Sequence, residues 1–87
     1  MTGQSIPPRW KRANWRRANL LAAIREQGGE WTTGRVKQLY QRRLGRHIYR
    51  STIRRDLRIL HADGHLTRHG DDTPHRSYSL RQEGATA

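Results

Sequence analysis

The 87-residue chain contains no cysteine and no phenylalanine, and only 32% of its residues are hydrophobic. The absence of cysteine excludes disulfides and thiolate-ligated zinc sites, and with them a disulfide-stapled extracellular scaffold. No run of about 18 apolar residues is present, so we expect no membrane-spanning segment. The N-terminus also lacks the apolar stretch of a signal peptide, which favours a cytoplasmic location. A chain of this length is expected to form one small domain with a thin core.

Acidic residues are scarce as well: seven Asp and Glu oppose eighteen Lys and Arg, for a formal net charge of +11. The charge is uneven, because residues 1–64 contain fifteen of the bases and four of the acids, whereas residues 65–87 contain three of each. A GC-rich coding bias would favour Arg over Lys, but it would not create the excess of bases. A domain this basic is typical of nucleic-acid binding and of a nucleoid-associated location.

Two helices are predicted in the first half of the chain. The first begins near Asn14, a suitable N-cap, and ends at a pair of glycines. The second is capped by Thr32 or Thr33 and ends before Gly45, which suits a left-handed C-cap. Between the two helices, residues 30–32 are β-prone and predict a short strand.

The most informative segment is a third helix, predicted over about residues 50–63. Ile53, Leu57 and Leu60 recur at helical spacing and form the stripe that would face a core. The opposite face carries arginines and short hydroxyl side chains and no acid. A helix with this pattern can pack on a domain and place guanidinium groups in a DNA groove, where they contact guanine edges or phosphates.

After Gly64 the hydrophobic period changes from 3.6 to two, which predicts a β-hairpin with Leu66 on one strand and Tyr78 on the other. The order of elements predicts an α+β winged helix-turn-helix: three helices and a small antiparallel sheet, to which the strand at Trp31 adds a third member. A three-helix bundle with a disordered tail is the alternative, and the clean alternation disfavours it. The predicted parts are a flexible arm at 1–8, a DNA-binding domain at 9–80 and a disordered tail at 81–87.

Residues 52–70 (TIRRDLRILHADGHLTRHG) resemble the DNA-binding end of DeoR-type bacterial repressors. The matching positions are Thr52, Ile53, Arg54, Arg55, Asp56, Leu57, Leu60, Gly64, Leu66, Arg68 and Gly70. The resemblance implies a winged helix whose third helix enters the major groove of DNA. The turn before that helix, residues 44–49, is two residues longer than in the family. The match covers the DNA-binding module alone, so we expect no effector-sensing domain.

We predict a DNA-contacting surface with three parts. The third helix and the turn before it contribute Arg46, Tyr49, Arg50, Ser51, Thr52, Arg54, Arg55 and Arg58. The base of the wing contributes Arg68 and Arg76, and the N-terminal arm contributes Arg9, Lys11 and Arg12, with Arg16 and Arg17 as further candidates. Arg55 and Arg58 lie opposite the core stripe and suit base contacts, whereas Arg54 lies to the side and suits a phosphate. A merely solvated basic face is the alternative.

Asp56, Tyr49 and the acidic wing tip have more limited predicted roles. Asp56 is expected to be structural, paired with an arginine or capping a backbone group. Tyr49 either donates its hydroxyl to a phosphate or packs under the turn. The acidic pair at the predicted wing tip, Asp71 and Asp72, would repel phosphate, so we expect only the base of the wing to contact the DNA backbone.

The tryptophans allow a second type of nucleic-acid contact. Trp15 and Trp31 are expected in the core, with a dimer contact as the alternative for Trp15, whereas Trp10 is left open between packing and stacking on single-stranded bases.

The histidine spacing and the search for catalytic motifs point to neither a metal site nor an active site. His61, His65 and His69 are four residues apart, but a helix end at Gly64 would separate them, so we expect no metal site. The chain has no phosphate-cradling glycine loop, nucleophile elbow or apolar carboxylate pair, and we expect neither an enzyme nor a cofactor.

These features predict a small protein that binds double-stranded DNA sequence-specifically, most simply a transcriptional regulator such as a repressor of a bacterium, phage or mobile element. A homodimer is one arrangement it could adopt. The alternatives are an architectural, recombination or replication accessory factor, and a winged-helix module that binds an acidic protein partner.

Overall fold

The computed structural model describes residue 8, residues 11–70 and residues 76–81. These residues form three helices, α1 (Arg12–Gln27), α2 (Thr33–Arg43) and α3 (Arg50–Ala62), and two strands, β1 (Leu66–His69) and β2 (Ser77–Leu80). The strands pair antiparallel, with the first residue of β1 opposite the last residue of β2. This is the predicted α+β architecture of three helices and a hairpin, and it is compatible with a winged helix.

Several sequence predictions concern positions outside the described residues. They are residues 1–7 of the arm, Arg9, Trp10, the wing tip with Asp71 and Asp72, and residues 82–87 of the tail. Within the described part of the chain, no helix is long and apolar enough to cross a membrane.

Helix α1 begins earlier than the sequence predicts. Lys11 is its N-cap residue, and the backbone N–H of Lys11 donates to the carbonyl oxygen of Pro8 at 2.9 Å. Asn14 therefore lies inside the helix rather than at its cap, and its side-chain oxygen accepts a hydrogen bond from Nη2 of Arg17 at 3.0 Å. The prediction was wrong because Arg12 and Ala13 are good helix formers that extend the helix past Asn14.

Helix α2 begins and ends as predicted. Oγ1 of Thr32 accepts a hydrogen bond from the backbone N–H of Arg35 at 3.2 Å, which satisfies one of the unpaired donors of the first turn. After the helix, Gly45 has φ +64°, a left-handed conformation that ends the helix and is easily reached only by glycine. The chain then crosses to α3 through residues 45–49.

The short strand predicted at residues 30–32 is reduced to a single bridge. The backbone N–H of Trp31 donates to the carbonyl oxygen of Tyr78 at 2.6 Å, and the carbonyl oxygen of Trp31 accepts from the N–H of Tyr78 at 2.9 Å. Trp31 thus pairs with β2 as predicted, but no strand extends from it, because α2 begins at Thr33.

One hydrophobic cluster joins the three helices to the hairpin. In the described part of the chain its buried members are Leu20, Ala23, Ile24, Trp31, Val36, Leu39, Tyr40, Ile53, Leu57, Leu60, Leu66 and Tyr78. The predicted stripe of α3 is therefore confirmed as core. Trp15, in contrast, is only partly buried and does not belong to this cluster, so its prediction as a core residue was wrong. It lies on a side of α1 adjacent to the exposed Ala18 and Ala22.

Candidate nucleic-acid interface

The outer face of α3 is basic and free of carboxylates. Ser51, Arg54, Arg55 and Arg58 are exposed, whereas Thr52 is partly buried at the flank. The helix contains one acid, Asp56, and its side chain is fully buried. The helical period of 3.6 residues separates the buried carboxylate from the exposed arginines, because the face of α3 opposite the core stripe points to solvent.

Asp56 accepts four hydrogen bonds from side chains on the other two helices. On α1, Nε of Arg16 donates to Oδ2 at 2.5 Å and Nη2 of Arg16 donates to Oδ1 at 2.8 Å, so that the guanidinium binds the carboxylate with two atoms. Nη1 of Arg17 adds a longer bond to Oδ1, at 3.3 Å. On α2, the hydroxyl of Tyr40 donates to Oδ2 at 2.8 Å. The predicted structural role of Asp56 fits this geometry, and the carboxylate ties α3 to both other helices.

This network corrects the prediction that Arg16 and Arg17 follow the DNA backbone. Their side chains are only 15% and 17% exposed, and both guanidinium groups are directed to Asp56. The hydrogen bond with Asp56 raises the pKa of Arg16 above its ordinary value. A buried carboxylate without a charged partner costs several kcal/mol, and that cost directs these two arginines inward.

Tyr40 is the partner of Asp56 that sequence reasoning missed. Its ring belongs to the apolar stripe of α2, and its hydroxyl reaches the carboxylate from inside the core. A signal was available, since a buried tyrosine hydroxyl nearly always needs a hydrogen-bond partner. What the sequence lacked was any indication that the partner lies sixteen residues away.

Burial, followed by the proximity of Asp56, raises the pKa of Tyr40 far above its ordinary value. The unfolded chain releases this proton near pH 10, whereas the folded chain retains it. The contribution of the Tyr40 phenol to the free energy of unfolding should therefore be fully present below pH 10 and should be lost as the pH rises further. We expect the free energy of unfolding, measured by urea denaturation between pH 8 and 11.5, to decrease above pH 10. Tyr40→Phe should be less stable at pH 8 and should show a weaker decrease. Equal pH dependence in the two proteins would contradict a buried neutral phenol.

The turn before α3 presents its polar side chains to solvent. Arg46, His47 and Arg50 are exposed, and Tyr49 is 72% exposed. The ring of Tyr49 meets the ring of His47 edge-on, with 5.6 Å between centroids. Packing of Tyr49 under the turn is therefore excluded. Tyr49 is the N-cap residue of α3, at a helix end where unpaired backbone N–H groups favour anions.

The other predicted contact residues lie at three separate places in the fold. Lys11 is exposed at the N-cap of α1, and Arg12, the next residue, is partly buried. Arg68 is partly buried on β1, a strand that packs against α3. Arg76 is exposed immediately before β2.

The side chains of two of the three spaced histidines, His61 and His69, make contacts within the fold. The ring of His61 packs edge-on against Tyr78, with centroids 6.1 Å apart, and Nε2 of His69 lies 2.8 Å from Oγ of Ser79. Among the residues that the structure describes, no three His, Cys, Asp or Glu side chains are grouped so that they could hold a metal ion.

Two further arginines have partners within the fold. The guanidinium of Arg35 lies 3.7 Å from the ring centre of Trp31 and donates to the carbonyl of Glu30 at 2.8 Å. Nη2 of Arg43 contacts the carboxylate of Glu26 at 3.2 Å. These contacts reduce the number of cations available to a polyanion, and they leave the basic turn and the outer face of α3 as the most prominent basic surface among the predicted parts.

Comparison of the chain with protein-family models, with curated proteins and with solved structures finds no match.

Proposed function

We propose that this chain binds double-stranded DNA sequence-specifically, with α3 in the major groove. The observation that carries the proposal is the separation of charge on α3: Arg54, Arg55 and Arg58 are exposed, while Asp56 is buried against Arg16. A surface without carboxylates attracts a polyanion, and an α-helix fits the width of the major groove. Arginine is also the side chain that most often contacts guanine specifically, through two parallel hydrogen bonds.

Three further features support duplex DNA over an acidic protein as the partner. The net charge of +11 suits a polymer with a phosphate at every nucleotide. Helices α2 and α3 are joined by a short basic turn and followed by a hairpin, as in a winged helix-turn-helix. The TIRRDL segment of α3 resembles the DNA-binding end of DeoR-type repressors. A role as a small transcriptional repressor follows from that resemblance and is part of the proposal.

The proposed contacts divide between bases and phosphates. Arg55 and Arg58 lie furthest from the core stripe and contact base edges. Arg46, Tyr49, Arg50 and Arg54 contact phosphates beside the groove, together with Lys11 and Arg12 at the start of α1 and Arg68 and Arg76 at the base of the wing. Ser51 and Thr52 supply hydroxyls at the edge of the groove, where they hydrogen-bond to bases or phosphates.

The experiment that tests this proposal is a selection of bound sequences from a pool of random duplex DNA. We expect enrichment of a defined sequence, and an inverted or direct repeat of it if the protein binds as a dimer. The binding constant of the selected duplex should fall as salt rises, with a slope of about −0.9 per phosphate contact in a log–log plot. No enrichment, together with a steep salt dependence of binding to random duplex DNA, would indicate an architectural factor. A flat salt response would contradict DNA binding and favour the protein-partner alternative.

A further inference from the structure

The Asp56 network lies directly behind the proposed reading surface. Asp56 is the immediate neighbour of Arg55 and two residues from Arg58, yet its side chain is fully buried while theirs are exposed. Any rotation of α3 about its axis would therefore move Asp56 relative to α1 and α2. The same rotation would change the direction of Arg55 and Arg58.

The same network reaches the start of α1, where phosphate contacts are proposed. Arg16 lies one helical turn after Arg12, on the helix whose N-cap is Lys11. The two bonds from Arg16 to Asp56 thus connect the helix that would hold the DNA backbone with the helix that would read the bases. Contacts to phosphates set the register of a protein on DNA, and contacts to bases supply the specificity.

Directional contacts can fix this geometry in a way that apolar packing cannot. Burial of apolar surface is not directional, and the stripe of Ile53, Leu57 and Leu60 prescribes no bond direction between α3 and α1. A two-atom contact between Arg and a carboxylate prescribes both a distance and a plane. The hydroxyl of Tyr40, approaching Oδ2 from α2, adds a third fixed direction.

We propose that the Arg16–Asp56–Tyr40 network is a positioning element that fixes the angle and register of α3 relative to α1 and thereby sets the sequence specificity of DNA binding. This inference rests on the proposed function. It assigns no DNA contact to the three residues themselves.

Arg16→Lys is the most informative variant, because it retains the charge and the ion pair and removes only the two-atom geometry. Arg25→Lys makes the same chemical change at an exposed position of α1 and serves as the matched control. The probes are the duplex selected by the wild type and a scrambled duplex of equal length and composition, with affinities measured by fluorescence anisotropy at 25 °C. We expect Arg16→Lys to bind the scrambled duplex within about twofold of the wild type, because the charge that governs non-specific binding is unchanged. Its ratio of selected to scrambled affinity should fall about tenfold or more, against typical ratios of roughly 10³–10⁷.

Tyr40→Phe tests the same role without altering a charged residue. It removes one hydrogen bond to Oδ2 and leaves both bonds from Arg16 in place. The affinity ratio should fall in the same direction but by less. Circular dichroism and thermal denaturation establish that each variant is folded at the temperature of the binding assay.

The outcomes separate this inference from the proposed function. If folded Arg16→Lys and Tyr40→Phe both keep the wild-type affinity ratio, the positioning role is overturned and DNA binding stands. If neither variant is folded at 25 °C, the network serves folding alone and the positioning role is overturned as well. If the wild type itself does not distinguish the two duplexes, the proposed function fails and the inference fails with it.

Discussion

Asp56→Ala is expected to lower the free energy of unfolding by about 3–5 kcal/mol, because removing one partner of a buried ion pair leaves the others uncompensated. Arg16 and Arg17, which are only 15% and 17% exposed, would lose their counter-charge. The hydroxyl of Tyr40 would lose its acceptor inside the core. A substitution at Asp56 therefore disturbs contacts among all three helices at once.

The size of that loss is large for a domain of this length. Natural domains have about 0.05–0.15 kcal/mol of stability per residue, or roughly 4–13 kcal/mol for this chain. Since 1 kcal/mol shifts Tm by about 4–8 °C in a domain of 60–100 residues, we expect Tm to fall by more than about 12 °C. Thermal denaturation followed by circular dichroism measures the shift. Asp63→Ala, at the exposed C-cap of α3, removes the same charge and should change stability by less than about 0.5 kcal/mol. Equal melting curves for the two variants would contradict the network.

Arg55→Ala and Arg58→Ala are each expected to weaken binding to the selected duplex by about 1–3 kcal/mol, or roughly 5- to 150-fold. The loss should be much smaller on the scrambled duplex, because a side chain that reads bases contributes less where the sequence is wrong. The measurement is the dissociation constant on both duplexes at a fixed salt concentration. Arg25→Ala, an exposed arginine of α1 outside the proposed interface, removes the same charge and is the control.

Arg54→Ala should have a different signature from its neighbours. Arg54 is exposed at the side of α3 and is proposed to contact a phosphate. Its removal should weaken binding to the selected and scrambled duplexes equally and reduce the salt slope by about one unit. If Arg55→Ala and Arg58→Ala behaved in the same way, the three residues would form a general basic surface that does not read sequence.

The fold could be predicted because its elements depend on local periodicity and turn chemistry. Ile53, Leu57 and Leu60 defined the buried face of α3, and Thr32 and Gly45 marked the ends of α2. The start of α1 was harder to predict, because helix propensity around Asn14 competes with its capping tendency. The strand at Trp31 was overestimated for a similar reason: its β-propensity is real, but the helix cap at Thr32 leaves room for one bridge only.

The roles of individual arginines could be predicted only in part. Periodicity separates Arg55 and Arg58 from the core, since that depends on one helix alone. The inward direction of Arg16 and Arg17 depends on a carboxylate 40 and 39 positions away, and a single sequence does not reveal which of sixteen arginines a buried acid will select. Net charge therefore overestimates the basic surface that could face DNA, because Arg16, Arg17, Arg35 and Arg43 have partners inside the protein.

The central claim is that the arginines of α3 read base edges in the major groove, and a double-mutant cycle between protein and DNA tests it most directly. Each guanine of the selected duplex is replaced in turn by 7-deazaguanine, which lacks the N7 acceptor of the major groove. Affinities are then measured for the wild type, Arg55→Ala and Arg58→Ala. We expect at least one guanine whose replacement weakens the wild type by about 1–3 kcal/mol and has little further effect on one of the two variants. Additive losses at every guanine for both variants would contradict base reading by α3.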